Sequence, residues 1–448
     1  MQPGCIFQVS TMKMRKHLSA SGLFRLVRSG FEKVTDHRTG DVEIALADAL
    51  TSAFAMFSLK DPSLLAFDER REKENGNLKR IYGMERIPCD TQMRTILDDA
   101  EPDEIKASFK DGFRQAQRGK VLEKFVFIDG HYLLSVDGTE YFFSKKIHCN
   151  SCLERVNHKT GEVSYHHQML GASIVHPDQK AVIPLAPEPI IKQDGETKND
   201  CERNAAKRFF AQVREDHPHL NLIVIQDSLS PNAPNIRTLE RHNFRYILRV
   251  KEGDHAFLFE KVAEAHQDGR TTEVEYHGVG VKHRFRFLNQ VSLNKSNQDL
   301  LVNFLEYWEI EDGKITRHFT WVTDFTVTKD NVSQLMRGGR AYWKIENETF
   351  NTLKNQGYQF DHNFGHGKNN LSVVFALLMM LAFLVDQIQQ LTCRLFQAVW
   401  EKEGSKKRLW EHIRSLFYCL PFNSMEDIYR ALLYGYEVEG MVVLGDSY

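Results

Sequence analysis

Three acidic residues stand where carboxylate chemistry would need them. Asp137 closes the run LLSVDG and Asp227 closes LIVIQD, two apolar stretches of the kind that form buried strands. Ligands of open α/β sheets gather at the carboxyl ends of strands, so acids at two such ends can converge although distant in sequence. Glu346, in RAYWKIENETFNTLKN, is the third; Trp343 and Phe350, three before and four after it, would anchor its helix and turn the acid inward. Three carboxylates form the hard oxygen donor set that suits Mg2+, with Mn2+ as its substitute. Together with a phosphate they can hold a metal pair about 3.5–4 Å apart, one ion activating the attacking oxygen and the other stabilising the leaving one. Gly138, directly after Asp137, would let a phosphate or metal approach the backbone. Each acid taken alone is explained as well by a turn or a cap, because Asp-Gly is also a turn signal. Asp129 in FVFIDG competes with Asp137, but it lies one strand earlier.

The elements that must position these acids follow in order along the 448 residues. The stretch from 12 to about 118 reads as helical, with LADALTSAFAMFSL apolar on every side. Within it, ERIPCDTQMRTILDD sets Pro88 before an Asp90 or Thr91 cap and a short helix carrying Arg94, a pattern shared by helix-turn-helix recognition elements and ordinary capped helices. From Lys124 the pattern changes to strands: FVFIDG, LLSVDGTEYF, YHHQMLGASIVHP and AVIPLAPEPII. NDCERNAAKRFFAQVRED restores helical periodicity, and LNLIVIQDS, NIRTLERHN and RYILRVK read as a β-α-β passage. Residues 252–325 read as β segments, with Asp312-Gly313 as a hairpin turn. VSQLMRGGRAYWKIENETFNTLKN reads as one helix ending near Gly357, and the remainder from Leu371 as helical. The expected class is α/β, a mixed sheet flanked by helices with an inserted β subdomain and helical N- and C-terminal regions.

SVDGTEYFFS, LIVIQDSLSPNAP and RAYWKIENETFNTLKNQGY resemble the three catalytic blocks of DDE-type insertion-sequence transposases, bacterial cut-and-paste enzymes, over roughly residues 120–385. The resemblance implies a ribonuclease H-like core and a β insertion between the second Asp and the Glu. It implies nicking at transposon ends and strand transfer into target DNA with Mg2+ or Mn2+ held by Asp137, Asp227 and Glu346. The partners it implies are double-stranded DNA with terminal inverted repeats, target DNA, and a second copy of the chain in a synaptic homodimer. Arg340, Trp343, Ile345 and Lys354 match the residues that accompany the Glu in the family, and Arg and Lys are the natural phosphate partners. The expected organisation is a DNA-binding helical region at 1–118, a catalytic core at 119–251, the insertion at 252–325, the Glu-bearing part of the core at 326–370 and a helical region at 371–448. The residues themselves leave open a metal nuclease without strand transfer, and a DNA-binding protein that has lost catalysis.

Other features carry weaker signals. Cys149-x-x-Cys152 lies near His148, His158, His166 and His167, but a second Cys-x-x-Cys is missing, which favours buried thiols and strand histidines over zinc. His362, His366 and Lys368 in HNFGHGKNN lie on a glycine-containing loop that could meet DNA phosphates, or on a plain surface loop. Glu202, Arg203, Lys207 and Arg208 fit a solvated helix face better than a basic DNA-facing stripe. A formal net charge of -2 excludes a uniformly basic coat, so any DNA surface must be a local patch among the 58 Lys and Arg. Seven cysteines without framework spacing fit reduced thiols in a cytoplasmic protein, the first residues hold no apolar run of signal-peptide length, and nucleoid association is what the transposase resemblance implies. The longest apolar run, Leu371 to Val385, falls short of the roughly 20 residues that span a bilayer and reads as a buried helix closed by Asp386.

Overall fold

Leu222–Gln226 is a run of five buried residues without polar alternation, the pattern of a strand covered on both faces. It lies inside a mixed twelve-stranded sheet. The computed structural model describes residues 17–73, 76–192, 200–227 and 230–436. Residues 12–16 of the expected helical start, Ser228 and Leu229 of the second acidic block, and the end from 437 lie outside the described residues.

Six helices come first: α1 (Ala20–Phe31), α2 (Leu46–Ser58), α3 (Leu64–Lys73), α4 (Gly76–Tyr82), α5 (Asp90–Asp98) and α6 (Pro102–Arg118). The strands β1 (Val126–Ile128), β2 (His131–Ser144), β3 (Leu153–Val156), β4 (Val163–Val175), β5 (Ile183–Pro184) and β6 (Glu188–Ile190) follow. Helix α7 (Glu202–Asp216) leads to β7 (Leu222–Gln226), α8 (Ala233–Arg241), β8 (Arg245–Arg249) and α9 (Ala256–Gln267). Then come β9 (Thr272–His277), β10 (Val281–Asn294), β11 (Asn297–Glu311) and β12 (Lys314–Thr323). The last described elements are helices α10 (Val332–Arg340), α11 (Asn351–Asn355), α12 (Leu371–Thr392), α13 (Arg394–Glu403), α14 (Lys406–Cys419) and α15 (Met425–Tyr434).

The α/β class with a mixed, helix-flanked sheet is observed, and the main path of the sheet runs β3-β4-β2-β7-β8-β12-β11-β10-β9. The region 252–325 continues the main sheet: β12 pairs antiparallel with β8, Trp321 opposite Arg249 and Thr323 opposite Ile247. Without β12, that side of β8 would present unpaired backbone groups, so the insertion extends the sheet edge to edge. It also contains a helix, α9, ahead of the expected β segments, which begin at Thr271. The Asp312-Gly313 hairpin forms as expected, with φ of 48° and 75°, both in the left-handed region that a two-residue turn of this type demands.

The N- and C-terminal helices likewise form one layer. Helix α12 packs against α2, α5 and α6 as well as β5. It is long and apolar enough by composition to cross a membrane, yet its apolar window is entirely buried within the protein. Asp386 does not end it: the helix runs on to Thr392 with Asp386 enclosed at 5% exposure. Lys60, wholly enclosed, reaches that carboxylate at 2.5 Å and donates to the carbonyls of Phe57 and Ser58 at 3.1 Å each. Tyr358 donates its hydroxyl to the same carboxylate, and the Lys60 ammonium lies 4.0 Å and 4.1 Å from the ring centres of Tyr358 and Trp410. Burial pulls the Lys60 pKa down to about 8 against the opposing pull of Asp386.

Helix α5, the candidate recognition element, is capped by Cys89 and not by Asp90 or Thr91. Gln92 Oε1 accepts the Cys89 N–H at 3.1 Å, and with Cys89 extended the helix starts at Asp90, one residue before an Asp90 cap would start it. Arg94 pairs with Asp90 at 3.2 Å and is 48% exposed. At the other end Asp98 accepts backbone N–H groups from Lys368, Asn369 and Leu371, tying α5 to the loop before α12.

Candidate active site

Strands β2 and β7 are parallel, Tyr132 beside Leu222 and Ser135 beside Ile225. Two residues further in the same register place Asp137 and Asp227 side by side, where β7 has just ended. Asp137 itself is not at a strand end, since β2 runs on to Ser144 as the partner of β4. It lies at the carboxyl edge of the parallel pair, the position at which α/β sheets collect ligands. Asp129, the competing acid, forms with Gly130 the tight turn between β1 and β2, with φ of 47° and 74°.

One face of β2 at this level is covered by residues 341–350. Ser135 Oγ donates to the Tyr342 carbonyl at 3.0 Å, and Ser173 on β4 meets Thr349 Oγ1 at 3.0 Å. The Tyr342 hydroxyl lies near the Asp137 carboxylate, which accepts the Gly138 N–H at 2.9 Å. Burial, together with Asp227 and Glu202 nearby, outweighs these donors and pushes Asp137 up to about 6. Tyr342 is itself raised by burial and by the same acids. Gly171 lies opposite Asp137 on β4, and the Phe350 ring fills the space a side chain would take. We expect Gly171→Ala, whose Cβ would meet Phe350 Cε1 at 2.7 Å, to cost about 1–3 kcal/mol by overpacking. Denaturant unfolding measures that cost, and an unchanged midpoint would mean that the helix shifts freely.

The expected single helix through Glu346 is broken into four segments: α10, a 3-10 turn at Ala341–Trp343, a π-helical segment at Ile345–Phe350 and α11. The Asn351 N–H reaches back to the Glu346 carbonyl, five residues away. A wider turn holds an extra residue, so positions four apart no longer share a face. Phe350 therefore points inward while Glu346 and Trp343 are exposed, contrary to the inward-facing acid expected from their spacing. Glu346 follows Tyr342 by one turn, and its carboxylate has no hydrogen bond or ion pair among the described residues. Glu348 lies instead near Lys344 and Lys406.

Glu202, expected only as part of a solvated helix face and indeed exposed, is a further acid beside Asp137. It occupies the first turn of α7 and approaches Gly138 so closely that a Cβ there would collide with its carboxyl. The room left by Gly138 is thus taken by Glu202, not by an open approach to the backbone. Burial and Asp227 raise the Glu202 pKa. An acid in a helix first turn is commonplace, so only the tertiary packing distinguishes this one. Arg208, further along the same helix, is spent on Glu188 and Asp200.

The six other candidate DNA contacts separate. Arg94, Trp343 and Lys368 are exposed, and Lys354 lies 4.0 Å from Asp361. Arg340 pairs with Glu309 at 3.3 Å over the Phe319 ring. His366 is only 7% exposed, which rules out the phosphate-facing position expected of it. Its Nε2 sits 3.2 Å from Cys152 Sγ, in a buried group with Cys149 and His167. Cys-x-x-Cys marked half of that group in the sequence, but His366 lies 214 residues beyond Cys152, past any recognisable spacing. Among the described residues no trio of acids closes as tightly as this Cys/His group.

No family model matches the chain, and no curated protein matches it. Fold and site together define a mixed α/β protein in which adjacent parallel strands bring two carboxylates to the sheet's ligand-binding edge.

Proposed function

We propose that this chain is a DDE-type transposase with a ribonuclease H-like core, joining DNA 3′ ends to target DNA. The observation that carries the reading is the register that sets Asp137 beside Asp227. The antiparallel pair β2–β4 followed by the parallel strands β7 and β8 supports the core assignment, and the resemblance of the three acidic blocks supports transposition.

The donor set fits a hard divalent cation. Asp137 and Glu202 are both held above the usual carboxylate range partly by neighbouring acids, a surplus of negative charge that Mg2+ or Mn2+ neutralises. Asp137 and Asp227 would hold it, with Glu202 supporting from α7, and Glu346, exposed on the segment after Tyr342, is the third ligand that the resemblance implies. The bound ions would supply Lewis-acid activation of the attacking oxygen and charge neutralisation at the leaving one. Tyr342 and the Gly138 N–H fix the Asp137 carboxylate, so its oxygens are oriented before substrate arrives. Trp343, Lys354, Lys368 and Arg94 are the side chains left for DNA, while Arg340 serves Glu309.

Purified protein given DNA with the inverted repeats that flank its coding sequence should nick and join ends only with Mg2+ or Mn2+, in a synaptic complex of two chains. Cleavage that never yields joined product would make it a nuclease. Absence of cleavage with either ion on such DNA would sink the reading altogether.

A further inference from the structure

We propose a structural zinc site formed by Cys149, Cys152, His167 and His366. Cys149 Sγ and Cys152 Sγ are 3.8 Å apart. His167 Nε2 lies 3.3 Å and 3.4 Å from the two sulfurs, and His366 Nε2 lies 3.2 Å from Cys152 Sγ. All four ligand atoms fall within 4.8 Å of one another and are buried. Zn–S bonds of about 2.3 Å and Zn–N bonds of about 2.0–2.1 Å generate tetrahedral edges of about 3.8 Å between sulfurs and about 3.5 Å between sulfur and nitrogen. The observed spacings match that figure closely, whereas a sulfur separation of 3.8 Å is far beyond a disulfide.

The surroundings favour a closed, non-catalytic site. Tyr141 stacks on His167 with ring centres 5.7 Å apart, and Phe142 lies 4.3 Å from His366. Four protein ligands leave no position for water or substrate, which is the mark of a structural zinc. Each imidazole turns Nε2 to the cluster, and both Nδ1 atoms are buried without a hydrogen-bond partner. Without an ion, two thiols and two rings would be buried on weak S···N contacts alone, a costly arrangement. With Zn2+ each gains a coordinate bond, and the two thiols release their protons to solvent as the Zn–S bonds form. Two soft sulfurs and two imidazoles select zinc over Mg2+, which takes oxygen ligands.

The site would join segments that lie far apart in the chain. Cys149 and Cys152 sit between β2 and β3, His167 lies on β4 and His366 precedes α12. Hydrogen bonds run alongside: Asn150 N–H to the Lys368 carbonyl at 2.8 Å and Ser151 Oγ to the Asn369 carbonyl at 3.0 Å. The strand that carries Asp137 is thereby fastened to the helical layer. The inference stands on the Cys/His geometry and is independent of the transposase reading.

Metal analysis of the full chain, purified without chelator, should find about one zinc per chain. A Cys149→Ser/Cys152→Ser double variant should lose it, whereas a Cys201→Ser/Cys419→Ser control, at exposed free thiols, should keep it. Chelation of the wild type should lower its Tm, restored by Zn2+ and not by Mg2+. Should the double variant fail to fold, chain produced in cobalt medium gives a second readout: intense visible bands of tetrahedral Co2+ with a sulfur-to-cobalt charge-transfer band. Wild-type protein without stoichiometric zinc, zinc retained by the double variant, or a cobalt spectrum without sulfur charge transfer would each overturn the site.

Discussion

Asp137→Asn is expected to abolish strand nicking and joining while making the metal-free protein more stable. Losing a carboxylate ligand removes the anchor for the metal pair, so the rate should fall further than the roughly 10²–10³-fold that follows loss of one transition-state hydrogen-bond donor. The stability gain has a separate cause. Burial and the proximity of Asp227 and Glu202 lift Asp137 from 3.8 to about 6. Between those values the folded protein binds a proton that the unfolded chain does not, so stability falls as pH rises through that window. Above it the ionised acid carries a constant penalty of about 1–3 kcal/mol, which the neutral amide escapes. Thermal melts in chelator across this range should show a smaller pH slope for the variant and a higher Tm at neutral pH. Mg2+ should raise the Tm of the wild type by ligand binding and that of the variant much less. A variant that melts lower than wild type in chelator would mean that Asp137 is held by its donors and does not occupy a metal-seeking cluster.

Asp386→Ala should be the most damaging single substitution in the helical layer, by about 3–5 kcal/mol, because it strands a buried ammonium. Lys60 has no exposed surface on its side chain. The rings of Tyr358 and Trp410 and two backbone carbonyls remain as its other partners. Tyr358 loses its acceptor in the same step. Lys60→Met should cost less, since the apolar stem of lysine is already packed and the remaining carboxylate keeps the Tyr358 bond. Lys60→Met with Asp386→Leu should recover most of the loss, as buried ion pairs replaced on both sides by apolar groups generally do. Urea unfolding of wild type, Lys60→Met, Asp386→Leu and the double variant closes a double-mutant cycle, and strictly additive losses would show that the two groups do not depend on each other.

Periodicity alone revealed much of the architecture. The unbroken apolar runs around Leu222–Gln226 and Leu371–Val385 were legible as elements covered on all sides, because burial on every face needs no partner to be inferred. Most of the order of strands and helices from β1 to β8 was legible in the same way, the short β3 (Leu153–Val156) apart, as was the Asp312-Gly313 turn, whose backbone angles only a few residue types adopt without cost. Asp137 and Asp227 could be singled out because each closes an apolar run.

What the tertiary structure alone decided are relations between segments with no shared period. Registry between β2 and β7 aligns the two acids, and no local pattern encodes the pairing of parallel strands. Pairing of β12 with β8 joined the inserted β segments to the main sheet, a relation that hydrogen-bonding edges, carrying no side-chain signature, do not announce. A π-helical turn rotated Glu346 away from the face its neighbours implied, a wider turn that the residue types do not announce. Glu202 and His366 acquired their places from packing across long loops, Glu202 beside Gly138 and His366 beside Cys152. The chain's chemistry was thus written in residue types, and the fold chose which of them meet.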